Sequence, residues 1–132
     1  MIKEIGHLGL VVRDIEESLK ALSRIISVGT PAVKAFPEKK MKCAVVEAPG
    51  MTLELLQDDS DDGRLAQFIR GKGDAIHHFC FVSDDIEQDV ETLRQSGVDM
   101  MDEKPRIGLR GKKIAMSMPS ALNGITIEIS EP

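Results

Sequence analysis

An internal repeat limits the possible folds of this chain more than any other feature. The segments 6–16 and 77–87 align without a gap, and a His, a Val, an Asp, an Ile and a Glu coincide at a constant separation of 71 residues. Self-similarity at one fixed separation is typical of a chain that builds the same structural unit twice. The sequence therefore predicts two copies of one module.

Each copy has the pattern of a β-α-β-β-β module. An alternating strand leads to an Asp that can cap a helix, and apolar residues then recur at helical spacing. These residues are Ile15, Leu19 and Leu22 in one copy and Ile86, Val90 and Leu93 in the other. The pattern predicts middle strands at 31–34 and 42–47, then at 98–101 and 113–118, and last strands at 51–56 and 125–129.

The whole chain of 132 residues is predicted to form one α+β domain. Module one covers about 1–58, a connector with at least one helical turn covers about 59–74, and module two covers about 75–132. The expected fold has two tandem β-α-β-β-β modules, which form a curved mixed sheet around a metal-binding cleft, with the helices outside.

Composition excludes several classes of partner. A net charge of −5 with interspersed signs and the absence of Trp and Tyr argue against nucleic acid. No apolar segment approaches the length of a membrane span, and no leader pattern begins the chain, so a soluble cytoplasmic protein is expected. Cys43 and Cys80 lie in apolar surroundings, which predicts two reduced core residues.

Four polar residues are predicted to share one face of the sheet. Side chains alternate along a strand, so each residue lies opposite its apolar neighbours. His7 and His78 occupy matching positions in the first strands of the two copies, and Glu54 and Glu128 do so in the last strands. The apolar residues that oppose them are Leu8, Leu10, Phe79, Phe81, Leu53, Leu55, Ile127 and Ile129.

These four residues are the predicted ligands of a divalent metal ion. A carboxylate in an apolar strand is costly to desolvate unless it is paired or coordinates a metal. A single His or Glu on a strand is usually structural or solvent-facing, but its recurrence in both copies favours a shared site. Two imidazoles and two carboxylates suit Zn, Ni, Co, Mn or Mg. His77 faces the opposite way and is assigned to structure or to the cavity rim.

The chain resembles the vicinal oxygen chelate (glyoxalase/bleomycin resistance/dioxygenase) superfamily, and within it the methylmalonyl-CoA epimerases. The more specific motifs are the double His at 77–78 and the Glu-x-Pro-x-x-Gly-x-x-Gly stretch at 103–111. Further similarity lies at 7–12, Pro37-Glu38, 53–56 and 127–128. Where family members commonly have His-Pro-Lys before the last strand, this chain has Met118-Pro119-Ser120.

The resemblance implies a metal-dependent isomerase with an acyl-CoA substrate. Epimerases of this family remove the proton between thioester and carboxylate and return it to the opposite face. Their proton-transferring acids correspond to Glu38 and Glu128 here, and Glu128 would also ligate the metal. A homodimer is expected from the resemblance and from exposed sheet edges that can pair.

Three other functions found in this superfamily are alternatives to epimerisation. Lactoylglutathione lyase is similar in its metal site, but the double His and the 102–111 stretch favour the epimerase. A ring-cleaving dioxygenase would need two His and one Glu around iron, and Glu54 is an additional acid. A metal-free ligand-binding protein of the superfamily need not retain four metal ligands, whereas this chain has all four.

Overall fold

The computed structural model describes residues 2–132, which contain eight strands, three α-helices and two 3-10 turns. The 3-10 turns are Pro37–Lys39 and Pro119–Ala121. In chain order the other elements are β1 (Ile2–Val11), α1 (Ile15–Ser23), β2 (Val33–Phe36), β3 (Met41–Ala48), β4 (Met51–Asp58), α2 (Arg64–Ile69), β5 (Ala75–Ser83), α3 (Ile86–Gln95), β6 (Arg106–Ile107), β7 (Lys113–Met116) and β8 (Thr126–Ser130).

The chain divides into two compact units, and the divisions fall inside β1 and β5. One unit is Leu8–His77, and the other combines the chain up to His7 with His78–Pro132. In the Leu8–His77 unit the strand order is β2-β3-β4-β1. Strand β1 pairs with β4 in parallel, and the other two pairings are antiparallel. Helix α1 covers this sheet through a core of Val12, Ile15, Ala44, Val46 and Leu55.

The second unit repeats this arrangement in the order β5-β8-β7-β6. Strand β5 pairs with β8 in parallel, and β7 pairs with β8 and β6 in antiparallel fashion. Ile86 and Val90 of α3 pack against Ala115 and Ile129 of the sheet. Both copies thus contain a β-α-β-β-β module with mixed pairing and a helix on one face. The predicted fold class is confirmed.

The two long helices begin where the sequence predicts, each at a capping Asp. The side chain of Asp14 accepts a hydrogen bond from the Glu17 amide at 3.1 Å. The side chain of Asp85 accepts one from the Gln88 amide at 3.2 Å. In both cases the carboxylate satisfies an amide that has no partner within the helix, and its negative charge suits the helix N-terminus. The predicted helical turn in the connector is also present, as α2.

The edge strand of the second copy lies elsewhere than predicted. Residues 98–101 form no strand, and Met100 makes only an isolated bridge with Ser117. The edge strand is Arg106–Ile107 instead. Asp102 accounts for the difference, because its carboxylate accepts hydrogen bonds from the Met116 amide and from Arg106 Nε, both at 2.9 Å. The Asp102 side chain therefore attaches this segment to β7 and to Arg106. These contacts take the place of the strand that was predicted here.

The other strand boundaries move less. Strand β2 starts at Val33 instead of 31, after Pro31, which has no amide to donate to a ladder. Strand β7 ends at Met116 instead of 118, ahead of the 3-10 turn that opens with Pro119. The last strands occupy 51–58 and 126–130, close to their predicted limits.

Both cysteines are buried and neither forms a disulfide, as predicted. No α-helix within residues 2–132 is long and apolar enough to cross a membrane. The division into module one, connector and module two at 58 and 74 stays a prediction.

Candidate metal centre

Three of the four predicted ligands lie in the unit that combines the start of the chain with residues 78–132. His7 is on β1, His78 on β5 and Glu128 on β8, and they are 3%, 2% and 9% exposed. The parallel register of β5 and β8 brings Glu128 beside Cys80, two residues beyond His78. Because alternate residues share a face, this register directs the acid and the imidazole of His78 to the same side.

The ligand atoms of these three residues are close enough for one ion. Nε2 of His7 is 3.0 Å from Nε2 of His78 and 3.5 Å from Oε1 of Glu128. Nε2 of His78 is 4.0 Å from Oε2 of Glu128. Two nitrogen or oxygen atoms that each lie about 2.1 Å from one ion are at most about 4.2 Å apart. All three separations fall within that limit, with Oε1 of Glu128 facing His7 and Oε2 facing His78, so the pairwise distances permit an ion that both carboxylate oxygens approach.

The chemistry of the three side chains also fits a divalent cation. A buried carboxylate beside two buried imidazoles is costly to desolvate unless it is paired or coordinates a metal. Two imidazole nitrogens and carboxylate oxygen are donors that Zn, Co, Ni and Mn accept. A bound cation would offset the charge of Glu128 and use the lone pairs on both rings.

Arg110 determines which ring nitrogen of His7 carries the proton when no metal is bound. Its Nη2 lies 3.1 Å from Nδ1 of His7. A guanidinium group has only donors, so Nδ1 must accept and the ring proton must lie on Nε2. Nε2 of His7 then donates to Nε2 of His78. A metal-bound His7 needs the opposite tautomer, with Nε2 on the ion and the proton on Nδ1.

The hairpin between β6 and β7 positions Arg110. Within it the Gly108 amide donates to the Lys112 carbonyl at 2.9 Å and the Gly111 amide donates to the Gly108 carbonyl at 3.1 Å. Gly111 has φ +81°, which disfavours other residues, and a Cβ at Gly108 would lie 2.8 Å from Cδ1 of Ile114. The two glycines of the 103–111 stretch therefore shape the turn that presents Arg110 to His7.

The remaining predicted residues belong to the Leu8–His77 unit. Glu54 is 6% exposed in the middle of β4, and its neighbours Leu53 and Leu55 pack in the core on the opposite face. Glu38 is exposed in the 3-10 turn Pro37–Lys39. The ring of His77 is half-buried and packs edge-on against Phe68 at 4.9 Å between ring centres.

Cys80 was not predicted to be part of the site. Its Sγ, a ring nitrogen of His7 and a carboxylate oxygen of Glu128 all lie within 4.8 Å of one another. Its spacing of two from His78 placed it on the same strand face, but its apolar surroundings favoured a core residue. Arg110 was also missed, because nothing in the local pattern relates it to a residue 103 positions away.

Comparison with known proteins agrees with the fold. The uncharacterised protein YqjC of Bacillus subtilis (strain 168) is 27% identical over 99% of this chain and 94% of its own. The mitochondrial methylmalonyl-CoA epimerase of Dictyostelium discoideum is 25% identical over 98% and 79%. A solved Streptomyces coelicolor methylmalonyl-CoA epimerase, in complex with 2-nitronate-propionyl-CoA, superposes with a TM-score of 0.85 at 20% identity, over 99% and 95%.

A family model described as Glyoxalase/Bleomycin resistance protein/Dioxygenase superfamily matches residues 6–116. That match includes residues 6–11 of β1, all of β5 and the long helices that follow the two strands. The chain belongs to this superfamily.

Proposed function

We propose that this protein is a metal-dependent isomerase that epimerises methylmalonyl-CoA. The observation that carries the proposal is the set of ligand atoms on His7, His78 and Glu128, which one ion can reach. The relatives named methylmalonyl-CoA epimerase support the choice of reaction.

Four residues would hold the ion: His7, Glu54, His78 and Glu128. The case for Glu54 is its burial and its equivalence to Glu128 in the repeat, since each is the central acid of a last strand. A divalent ion in this site, with Co, Zn, Ni, Mn and Mg as candidates, would supply positive charge that stabilises an enolate of the substrate.

Glu128 and Glu38 would move the proton. Inversion at carbon requires a base on one face of the substrate and an acid on the other. Glu128 would both ligate the ion and exchange a proton with C2, the carbon between the thioester and the carboxylate of the substrate. Glu38 is exposed on a short turn, where a carboxylate stays hydrated and able to exchange protons with water. Each Glu would act as base for one epimer and as acid, once protonated, for the other.

The substrate would be an acyl-CoA with a second carboxylate. A solved epimerase with the same fold binds 2-nitronate-propionyl-CoA, which favours this class of ligand. Residues 118–120 differ from the family pattern and are exposed, so recognition of the coenzyme A portion would use other groups. The homodimer and the cytoplasmic location belong to the same proposal.

Hydrogen–deuterium exchange at C2 of methylmalonyl-CoA tests the reaction. In D₂O and with Co²⁺-loaded protein, methylmalonyl-CoA should incorporate one deuterium at C2, as measured by mass spectrometry. With chelated protein it should incorporate none. Exchange that is independent of metal would exclude the proposed enolate stabilisation. Metal-loaded protein without exchange would refute the epimerase reaction and favour lactoylglutathione-type isomerisation or ligand binding.

Separate assays of the two epimers test the residue roles. Glu38→Gln should stop exchange from one epimer and spare exchange from the other, because only one base is lost. Glu16→Gln, an equal change at an exposed position on α1, is the matched control and should leave both rates unchanged. Equal losses from both epimers in Glu38→Gln would contradict the two-base assignment.

A further inference from the structure

Cys80 lies among the candidate metal ligands and not merely near them. It is 1% exposed on β5, and its Cα partner on β8 is Glu128. The sulfur, a His7 nitrogen and a Glu128 oxygen form a compact group within 4.8 Å. These three donors belong to one compact unit of the protein.

Comparison of the two copies shows whether the fold itself requires a side chain at the position of Cys80. The position that matches Cys80 in the first copy is Gly9, which has Glu54 as its Cα partner just as Cys80 has Glu128. Strand pairing beside the central acid therefore needs no side chain at this position. Only the second copy adds a sulfur there. Cys43, which is 4% exposed on β3, belongs to no such group among residues 2–132.

We propose that Cys80 is a further ligand of the metal ion, bound through its sulfur as a thiolate. The inference rests on the metal site of the proposed function and extends it. On binding, the thiol releases its proton to solvent and a sulfur–metal bond forms. A sulfur about 2.3 Å and a nitrogen about 2.1 Å from one ion are at most about 4.4 Å apart. The three donor atoms lie within 4.8 Å of one another, so a shared ion would draw them closer together by side-chain rotation.

A thiolate ligand would reduce the number of metal ions that suit the site. Sulfur favours Zn, Co and Ni over Mg and Mn, which prefer oxygen. Two imidazoles and carboxylate oxygen alone would accept either group of ions. The residue beside Glu128 would thus decide which of the available metals the site retains.

Cobalt(II) provides a readout that does not depend on catalysis. A thiolate bound to Co²⁺ gives intense charge-transfer absorption in the near ultraviolet, whereas nitrogen and oxygen ligands give only weak visible bands. Titration of the metal-free full chain with CoCl₂ should produce both kinds of absorption. Cys80→Ser should lose the near-ultraviolet band and retain the visible ones. Cys43→Ser, a matched change at another buried cysteine, should retain both.

The outcomes distinguish this inference from the proposed function. Visible bands without the near-ultraviolet band in the unmodified chain would overturn the role of Cys80 and leave the metal site intact. Failure of the chain to bind Co²⁺ at all would overturn both. If Cys80→Ser does not fold, X-ray absorption of the zinc-loaded unmodified protein decides the question. A sulfur neighbour near about 2.3 Å supports the inference, and only nitrogen or oxygen near about 2.0–2.1 Å refutes it.

Discussion

Arg110→Gln is expected to tighten metal binding, although Arg110 is not a ligand. In the metal-free protein the guanidinium donates to Nδ1 of His7. Metal ligation through Nε2 moves the ring proton to Nδ1, where it would face another donor. The ion and the Arg110 contact therefore exclude each other. Gln can present its amide oxygen instead, which would accept the Nδ1 proton and stabilise the metal-bound tautomer.

The size of the effect follows from the contact that metal binding breaks. A hydrogen bond to a charged group contributes about 1.5–3 kcal/mol. Arg110 is exposed and water replaces part of the lost contact, so the lower end of that range applies. About 1.5 kcal/mol corresponds to roughly a tenfold lower dissociation constant for the metal.

Competition with a chromophoric chelator measures the dissociation constant for Zn²⁺ in each protein. Lys112→Gln is the matched control, because it removes one positive charge from the same hairpin at an exposed position. An Arg110→Gln variant whose affinity changes no more than that of Lys112→Gln would refute the competition. Nitrogen NMR gives a second check, since the His7 proton should move from Nε2 to Nδ1 on metal loading.

Three predictions concern stability. Leu55 is 0% exposed, so Leu55→Ala should leave a cavity in the core and lower the free energy of unfolding by about 2–5 kcal/mol. Urea titration measures this loss, and a loss under about 1 kcal/mol would mean that neighbouring side chains fill the cavity. Asp85→Ala removes the α3 cap and should cost about 1 kcal/mol by the same measurement; no loss would show that the Gln88 amide finds another partner. The hydrogen bond from Lys113 at 2.7 Å lowers the pKa of Glu87 below 4.5, so its small stabilisation is present above pH 4.5 and is lost as the pH falls through the folded-state pKa. Lys113→Gln should weaken that acid dependence at low salt, and an unchanged profile would contradict this.

The fold could be predicted from the sequence largely because its determinants are local. Alternation along β1, β4, β5 and β8 is a property of extended backbone. The sequence therefore predicts that Glu54 lies on the face opposite the core residues Leu53 and Leu55, without knowledge of which strands pair. The helix starts at Asp14 and Asp85 were equally accessible, since a cap acts within four residues. Repetition of the pattern then indicated that the same module occurs twice.

The position of the edge strand in the second copy and the surroundings of His7 depended on tertiary structure. The displacement of the edge strand to β6 follows from Asp102, whose carboxylate reaches Met116, 14 residues along the chain. The register of β5 and β8 decides that Cys80 and not another residue lies beside Glu128. The contact between Arg110 and His7 spans 103 positions. Strand parity determines which face a side chain occupies, but only long-range pairing determines what it meets on that face.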